Sequence, residues 1–460
     1  MFKTVLVANR GEVALRVIAA CHELGLDTVA VCSTADRQAL HARAAGRAVC
    51  IGPAPAERSY LSVAAIVEAA CLAGADAVHP GYGFLAESAQ LAEACAEREV
   101  AFVGPPPAVL RLVGDKVAAR AAMRRVGVPV LPGADEPAET PAARHEAAES
   151  IGYPVIVKAR GGGGGRGMRV AADAASLETV WRTAQREAQA AFGDPRLYLE
   201  RYLAAPRHIE FQVLVDGAGA VLGLGERECT IQRRHQKLLE ESPSVAVDEA
   251  TRRELAAQVA RAARAVGYRN AGTFEFLRDE SGRFHFIEVN ARLQVEHPVT
   301  EMVTGVDIVK EQLRIAAGEE LAIPEGGVMP RGHAIECRVN AEHPATLRPS
   351  PGTVTAFTMG GGTGPGVRVD TALEAGGVVS PHYDSLVAKV VAHGRDRGEA
   401  IARMRRALAM TRIDGIETTI PLHLRILADP DFQAGRVDTG FLERFALGGE
   451  TPARAARRGG

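Results

Sequence analysis

Over the first hundred residues, apolar runs of strand length alternate with amphipathic segments of helix length. This alternation commits the chain to a mostly parallel sheet with helices on both faces. Residues 4–8 read as a buried strand, residues 12–24 carry apolar side chains at helical spacing until Gly25 stops them, and residues 28–32 read as a second strand. The series continues through a helix over 61–73, a strand over 75–79, a helix around 87–98 and a strand over 100–103. The first turn, Asn9-Arg10-Gly11-Glu12, lacks the glycines of G-x-G-x-x-G, so a nicotinamide-binding reading loses its main support.

A chain of 460 residues with 47% hydrophobic content has material for roughly two to four domains with real cores. With a formal net charge of -2, no strongly cationic nucleic-acid surface sets the character of the chain, which leaves room for local basic clusters only. The opening MFKTVLVANRGE is no export signal and every apolar run breaks before the length of a membrane span, so a cytoplasmic protein is expected. Seven cysteines without C-x-x-C spacing predict reduced core residues, with neither disulfides nor zinc. The basic residues are overwhelmingly Arg, and lysine is kept only at Lys3, Lys116, Lys158, Lys237, Lys310 and Lys389. Where Arg is the habit, a retained Lys marks a place for a compact ammonium, which directs attention to Lys116, Lys158 and Lys237.

Beyond a Pro-rich break at 104–107 and a helical stretch containing Lys116, a smaller unit reads as a helix around 145–150, strands over 154–159 and 168–171, and a helix near 177–191. Between its two strands stand Arg160, five glycines from Gly161 to Gly165, and Arg166-Gly167. With strand on either side the run becomes a hairpin tip, whose free N–H groups wrap phosphate oxygens and whose flexibility lets it close over a nucleotide. No G-K-[ST] ends it, so it is not a P-loop. Lys158, on the strand leading into the loop, reaches toward the same phosphates. The remainder starts with a strand over 207–215, runs through segments rich in β-formers, and ends with a helix near 400–409 and an Arg/Ala/Gly tail expected to fray.

In the segment 271–277, Glu275 faces away from Phe274 and Phe276; after the turn at 279–282, Glu288 and Asn290 share a face by the period of two. A hairpin sets Glu275 beside them, giving two carboxylates and an amide oxygen that suit Mg²⁺ or Mn²⁺ with nucleotide phosphates, not Zn²⁺. Arg292, Gln294 and Glu296 continue the alternation to His297-Pro298 and predict the polar floor of a cleft. These residues support an ATP- and metal-dependent ligase or kinase.

Together, VIVKARGGGGGRGMRV, GERECTIQRRHQKLLEESPS and FIEVNARLQVEHPVTEM resemble the biotin carboxylase family, within the ATP-grasp group. VLVANRGEVALRV, HPGYGFLAES, RVNAEHP and PHYDSLVAKV extend the likeness over residues 1–447. The resemblance implies an α/β chain: a Rossmann-like domain over 1–113, a helical linker over 114–130, an ATP-grasp lid over 131–203, an α+β C-terminal ATP-grasp and biotin-carboxylase domain over 204–447, and a frayed tail over 448–460.

It also implies roles. Lys116 and Lys158 contact ATP phosphates, Gly164 and Gly165 belong to the mobile cover, and Glu200, Arg201, Tyr202 and Leu203 line the adenine slot. His208, Gln232 and His235 complete the nucleotide site, and Glu275, Glu288 and Asn290 hold the metal ions. Lys237, Arg292, Gln294 and Val295 surround bicarbonate, while Tyr82, Gly83 and Arg338 lie near the biotin ring. Glu296, kept ionised beside Arg292, takes the proton of bicarbonate, which attacks the γ-phosphorus of ATP to give carboxyphosphate. The CO₂ released from it then carboxylates biotin, whose enolate oxygen Arg338 stabilises.

Arg201 stands where the family often has Lys, Arg160 where a small residue is common, and His343 where Asp is common. Cys229, although near His235 in sequence, is not expected to act as a nucleophile, because this chemistry needs no thiolate. With no biotin-attachment segment found, the substrate is expected on a separate biotinylated carrier, with separate carboxyltransferase subunits, as the first half-reaction of an acetyl-CoA or acyl-CoA carboxylase. A homodimer is the family expectation. The competing readings are another ATP-grasp carboxylate or ammonia ligase, and an ATP-binding protein without turnover.

Overall fold

The N-terminal alternation folds as a five-stranded parallel sheet in the order Arg47–Gly52, Asp27–Ser33, Thr4–Val7, Ala77–His79, Ala101–Phe102. The computed structural model describes residues 2–134, 138, 140–161, 165, 167–324, 327–360 and 364–446. Period two divides the central strand between two cores: Val5 and Val7 pack toward Leu214, Leu293 and Ile308 of the rest of the molecule, while Leu6 and Ala8 pack on Tyr60 and Ile66 on the opposite face. Strand order reverses between Thr4–Val7 and Ala77–His79, and a crevice forms beyond the carboxyl ends of strands at such a point. Asn9 joins the two loops there, its Nδ2 donating to the carbonyls of Pro80 and Tyr82 at 2.7 Å each.

A second, three-stranded antiparallel sheet has Val155–Ala159 in the middle, flanked by Met168–Ala171 and Leu197–Arg201. The helix Ala174–Phe192 covers it with Leu177, Trp181, Ala184 and Ala188, each about one helical turn after the last, against Val155, Val157 and Leu199. Asp173 accepts from the Ser176 N–H at 2.9 Å while the Ser176 hydroxyl accepts in return from the Asp173 N–H, closing a capping box at its start.

The third sheet has eight antiparallel strands, in the order Phe284–Asn290, Asn270–Arg278, Arg207–Val215, Val221–Arg233, Gln236–Ser242, His333–Asn340, Leu386–Gly394, Val367–Thr371. The α/β class with a parallel N-terminal sheet, a small lid-like unit and an α+β remainder is the one expected. Its C-terminal part is longer than the reading with a last helix near 400–409. After Arg397–Ala409 come helices Ile420–Ala428, Pro430–Gln433 and Phe441–Ala446, which bury Ile426, Phe432 and Phe441 in the same core as Met404. Pro421 and Pro430 stand in the first turns of two of these helices, where the missing N–H costs nothing, so they begin helices instead of breaking them. The expected tail over 448–460 lies outside the described residues, and among those described no helix is long and apolar enough to cross a membrane. Five of the seven cysteines are buried and all seven are free.

One ion-pair cluster behind the large sheet sets an acid limit on this fold. Burial alone would raise the pKa of Glu241, but the His333 ring at 2.7 Å and the Arg397 guanidinium at 2.6 Å overcome that and bring it to about 2. The folded value lies below the unfolded one, so this stabilisation is present above about pH 4.5 and is lost as the pH falls toward 2. Glu241→Gln is expected to lower stability by about 3 kcal/mol near neutrality and by much less near pH 3. Urea unfolding of parent and variant across that range checks it; a difference independent of pH would contradict it.

Candidate active site

The floor of the site is one face of the large sheet, where strands that are apolar on the other side carry buried charge. On Arg207–Val215 this face presents His208, Glu210 and Gln212, while Ile209, Phe211 and Val213 point into the core. Glu275 pairs directly across the hairpin with Glu288, and Asn290 sits opposite Thr273, so the three side chains expected together share one region. Phe274, Phe276 and Phe286 fill the core behind them.

Lys237 is the centre of the charge pattern. Its Nζ lies 2.5 Å from Glu210 Oε2, 2.8 Å from Glu275 Oε1 and 2.7 Å from Glu296 Oε1. Burial disfavours the ammonium, but the surrounding acidic groups raise its pKa well above the ordinary value, so it stays charged. The other Glu296 oxygen meets Arg338 Nη2 at 2.8 Å. Burial would also protonate Glu296, yet Lys237, Arg338 and Arg227 hold it well below the usual carboxylate range. Arg292 is not the main cation here, contrary to expectation. Its Nε pairs with Glu87 at 3.1 Å and its Nη2 donates to Asn290 Oδ1 at 3.1 Å. The reason is local: the strand ends at Asn290, and Arg292, Gln294 and Glu296 lie in the connection to the helix His297–Thr304, where period-two alternation no longer sets direction.

Arg227, which the sequence reading did not single out, anchors this floor from below. Fully buried, it meets Glu210 at 2.5 Å and donates to Gln212, Thr300 and Thr273 at 2.8, 2.9 and 3.0 Å. A polar residue at every second position of an otherwise apolar strand, as at 208, 210 and 212, was the available signal for such a buried partner. Cys229 sits 3.8 Å from Glu296 Oε1, and burial pushes its thiol well above the ordinary range, consistent with a non-nucleophilic role.

Lys158 and Glu200, both expected at the nucleotide, meet on the small sheet. Lys158 Nζ lies 2.5 Å from Glu200 Oε2, and Arg120 pairs with the other Glu200 oxygen and donates to the Leu131 carbonyl at 2.7 Å. Lys116 pairs with Glu288, and the helix that carries it is capped by Asp115, which accepts from Val117 and Ala118 N–H at 3.1 Å. Asp115 also holds Arg160 at 2.9 Å, so the unusual Arg160 fastens the root of the hairpin to that helix. The hairpin is present, with Lys158 paired to Met168. Gly164 lies outside the described residues, while Gly165 (φ +72°) approaches His235 so closely that a Cβ would come within 2.7 Å of it. Gln232 Nε2 meets His208 Nδ1 at 3.5 Å, and His208 Nε2 lies 2.8 Å from Glu275. Arg201 and Tyr202 are held by their backbone N–H groups, which donate to Pro132 and Pro154 carbonyls at 2.8 and 3.1 Å; Leu203 follows them, half-buried.

On the other flank, Tyr82 and Gly83 (φ +68°) form the mouth of the crevice at the switch point, and the Tyr82 hydroxyl donates to Glu12. His343 is turned to its own loop, its Nδ1 accepting from Ala345 and Thr346 N–H at 3.1 Å. The arrangement is a buried network in which Lys237 and Arg338 share Glu296, while Glu210, Glu275 and Glu240 balance their charge.

Known proteins share this framework. Residues 1–110 match the family described as biotin carboxylase, N-terminal domain; residues 336–444 match the biotin carboxylase C-terminal domain; residues 115–323 match the carbamoyl-phosphate synthase L chain, ATP binding domain. The biotin carboxylase of Pseudomonas aeruginosa is 55% identical, over 96% of this chain and 98% of its own length. The chain belongs to the biotin carboxylase family. Biotin carboxylase 1 of Bacillus subtilis is 50% identical over 98% of this chain and 100% of its own. The biotin carboxylase–beta-gamma-ATP complex from Campylobacter jejuni superposes with a TM-score of 0.94 at 45% identity, covering 96% of this chain and 99% of that one. The biotin carboxylase domain dimer of 2-oxoglutarate carboxylase from Hydrogenobacter thermophilus, in complex with MgADP, ADP and bicarbonate, gives 0.95 at 46% identity, with 98% and 100% covered.

Proposed function

We infer that this chain catalyses the ATP-dependent carboxylation of biotin, with bicarbonate as the source of the carboxyl group. The observation that carries the reading is the clamp on Glu296, a buried carboxylate with Lys237 on one oxygen and Arg338 on the other. Bicarbonate held by Lys237, Arg292, Gln294 and Val295 shares the cations that now serve Glu296. A second anion in that field raises the proton affinity of Glu296 and makes it the base for bicarbonate. The freed oxygen attacks the γ-phosphorus of ATP, ADP leaves, and carboxyphosphate breaks down to CO₂ and phosphate. That phosphate takes the N1 proton of biotin in the crevice of Tyr82 and Gly83. Arg338 stabilises the enolate oxygen, and CO₂ adds to N1.

In the same reading, Lys116 and Lys158 bind the triphosphate under Gly164 and Gly165, and Glu200, Arg201, Tyr202, Leu203, His208, Gln232 and His235 shape the nucleotide site. Glu275 and Glu288 offer carboxylate oxygens from adjacent strands, a pair that fits Mg²⁺ or Mn²⁺, and Asn290, whose Oδ1 accepts from Arg292 and whose Nδ2 donates to Glu275, would add its amide oxygen by turning that amide over. The ammonium groups of Lys237 and Lys116 against Glu275 and Glu288 mark the same places as favourable for positive charge. A divalent ion there supplies neutralisation of the triphosphate. The domain limits at 113 and 203 are supported by the five-stranded sheet ending at Phe102 and the three-stranded one at Arg201.

A separate biotinylated carrier and carboxyltransferase are supported by relatives such as a pyruvate carboxylase subunit from Methanothermobacter thermautotrophicus, 48% identical, which is by name one part of a larger enzyme. A homodimer is supported by the Hydrogenobacter domain dimer. The match of residues 115–323 to a carbamoyl-phosphate synthase domain favours, as second reading, a ligase using ammonia. ADP formation by the purified protein decides between them: the expected result is a rate dependent on bicarbonate and stimulated by free biotin. Stimulation by ammonia with production of carbamoyl phosphate, and none by biotin, would overturn the proposal.

A further inference from the structure

Lys389 is a fully buried ammonium that the reaction just derived leaves without a task. It sits on the strand Leu386–Gly394, across from Arg338 on one side and Asp370 on the other, but its Nζ leaves the sheet. It donates to the Val295 carbonyl at 3.0 Å, pairs with Glu12 Oε2 at 3.1 Å, and lies 5.7 Å from the centre of the Tyr82 ring. Glu12, on the helix Gly11–Glu23 of the parallel-sheet unit, uses its other oxygen to accept from the Tyr82 hydroxyl. Asp370 Oδ2, at 3.8 Å, is the second acid facing this ammonium. Parts of the chain distant in sequence therefore meet at one nitrogen: the turn that carries Val295 and Glu296, the helix that carries Glu12 and through it the Tyr82 loop, and the large sheet.

We propose that Lys389, acting with Glu12, is a positioning residue that fixes the distance between the Val295–Glu296 turn and the Tyr82 crevice, so that the group activated at the first reaches biotin at the second. The inference rests on the biotin carboxylation reading. A compact ammonium with three donors directed apart suits the junction, whereas a guanidinium fork is planar and wider, in keeping with a Lys retained in a chain so rich in Arg. Burying an ion pair is costly, and an apolar pair of similar volume holds two elements together at least as well. An apolar pair, however, supplies no donor to the Val295 carbonyl and no acceptor for the Tyr82 hydroxyl.

The test separates holding the fold from setting the distance. Lys389→Met leaves Glu12 buried without its partner and is expected to melt earlier than the parent, while Glu12→Gln/Lys389→Met removes the unpaired charge and recovers most of the melting temperature. In both, KM for biotin and for bicarbonate is expected to rise roughly tenfold, with KM for ATP within about twofold of the parent. Glu12→Gln alone keeps an acceptor for Tyr82 and the ammonium of Lys389, and is expected to fold and to show a smaller rise, roughly threefold, in KM for biotin. Parent-like KM values for biotin and bicarbonate in the double variant, or in Glu12→Gln should the others not fold, overturn the proposal and leave the pair with the fold alone. A parent that shows no biotin-dependent turnover at all would instead overturn the functional reading on which the inference rests.

Discussion

Glu296→Gln is expected to reduce bicarbonate-dependent ADP formation by about 10³-fold while changing the affinity for ATP by less than about threefold. The amide keeps the shape of the side chain but accepts no proton from bicarbonate. It also removes the negative charge that Lys237 and Arg338 share at 2.7 and 2.8 Å. The fold is expected to survive, because Lys237 retains Glu210 and Glu275, and Arg338 retains Glu240 at 2.7 Å. Steady-state ADP release, with a thermal melt to check folding, measures the effect. A folded variant within tenfold of the parent would remove Glu296 from the role of base.

Arg338→Ala is expected to separate the two half-steps. Formation of carboxybiotin, followed with labelled bicarbonate, should fall about 10²- to 10³-fold, because the enolate loses its cation at the moment the charge develops. Bicarbonate-dependent ATP cleavage in the absence of biotin should fall by less than about tenfold. The substitution also leaves Glu240 and Glu336, a fully buried pair directly across two strands, without their nearest guanidinium. Burial already raises Glu240 to about 7, with Arg338 opposing that rise, and burial raises Glu336 well above the ordinary range. Both folded pKa values lie above the unfolded ones, so stability falls as the pH rises, for Glu240 through the window from about 4.5 to about 7. In Arg338→Ala that decline is expected to continue above pH 7, because the remaining carboxyls hold their protons more tightly. Parent-like carboxybiotin formation by a folded Arg338→Ala enzyme would defeat the assignment.

Periodicity and local chemistry were legible along the chain. Alternating strands and helices led to the parallel sheet, glycines between two strands to the hairpin, and the placement of Phe274, Glu275 and Phe276 to a carboxylate on the outer face of a strand that pairs with Glu288. The motifs around Lys158, Lys237, Glu296 and Arg338 were sufficient for the family. Which charge neutralises which became visible only in the folded chain. Glu296 meets Lys237 from 59 residues away and Arg338 from 42, and Arg292 turns to Glu87, 205 residues earlier. Period two carries direction along a strand and stops with it at Asn290. Beyond that point an ion pair is set by which loops and strands the fold brings within a few ångströms, and charges far apart in sequence leave no spacing from which that choice is legible.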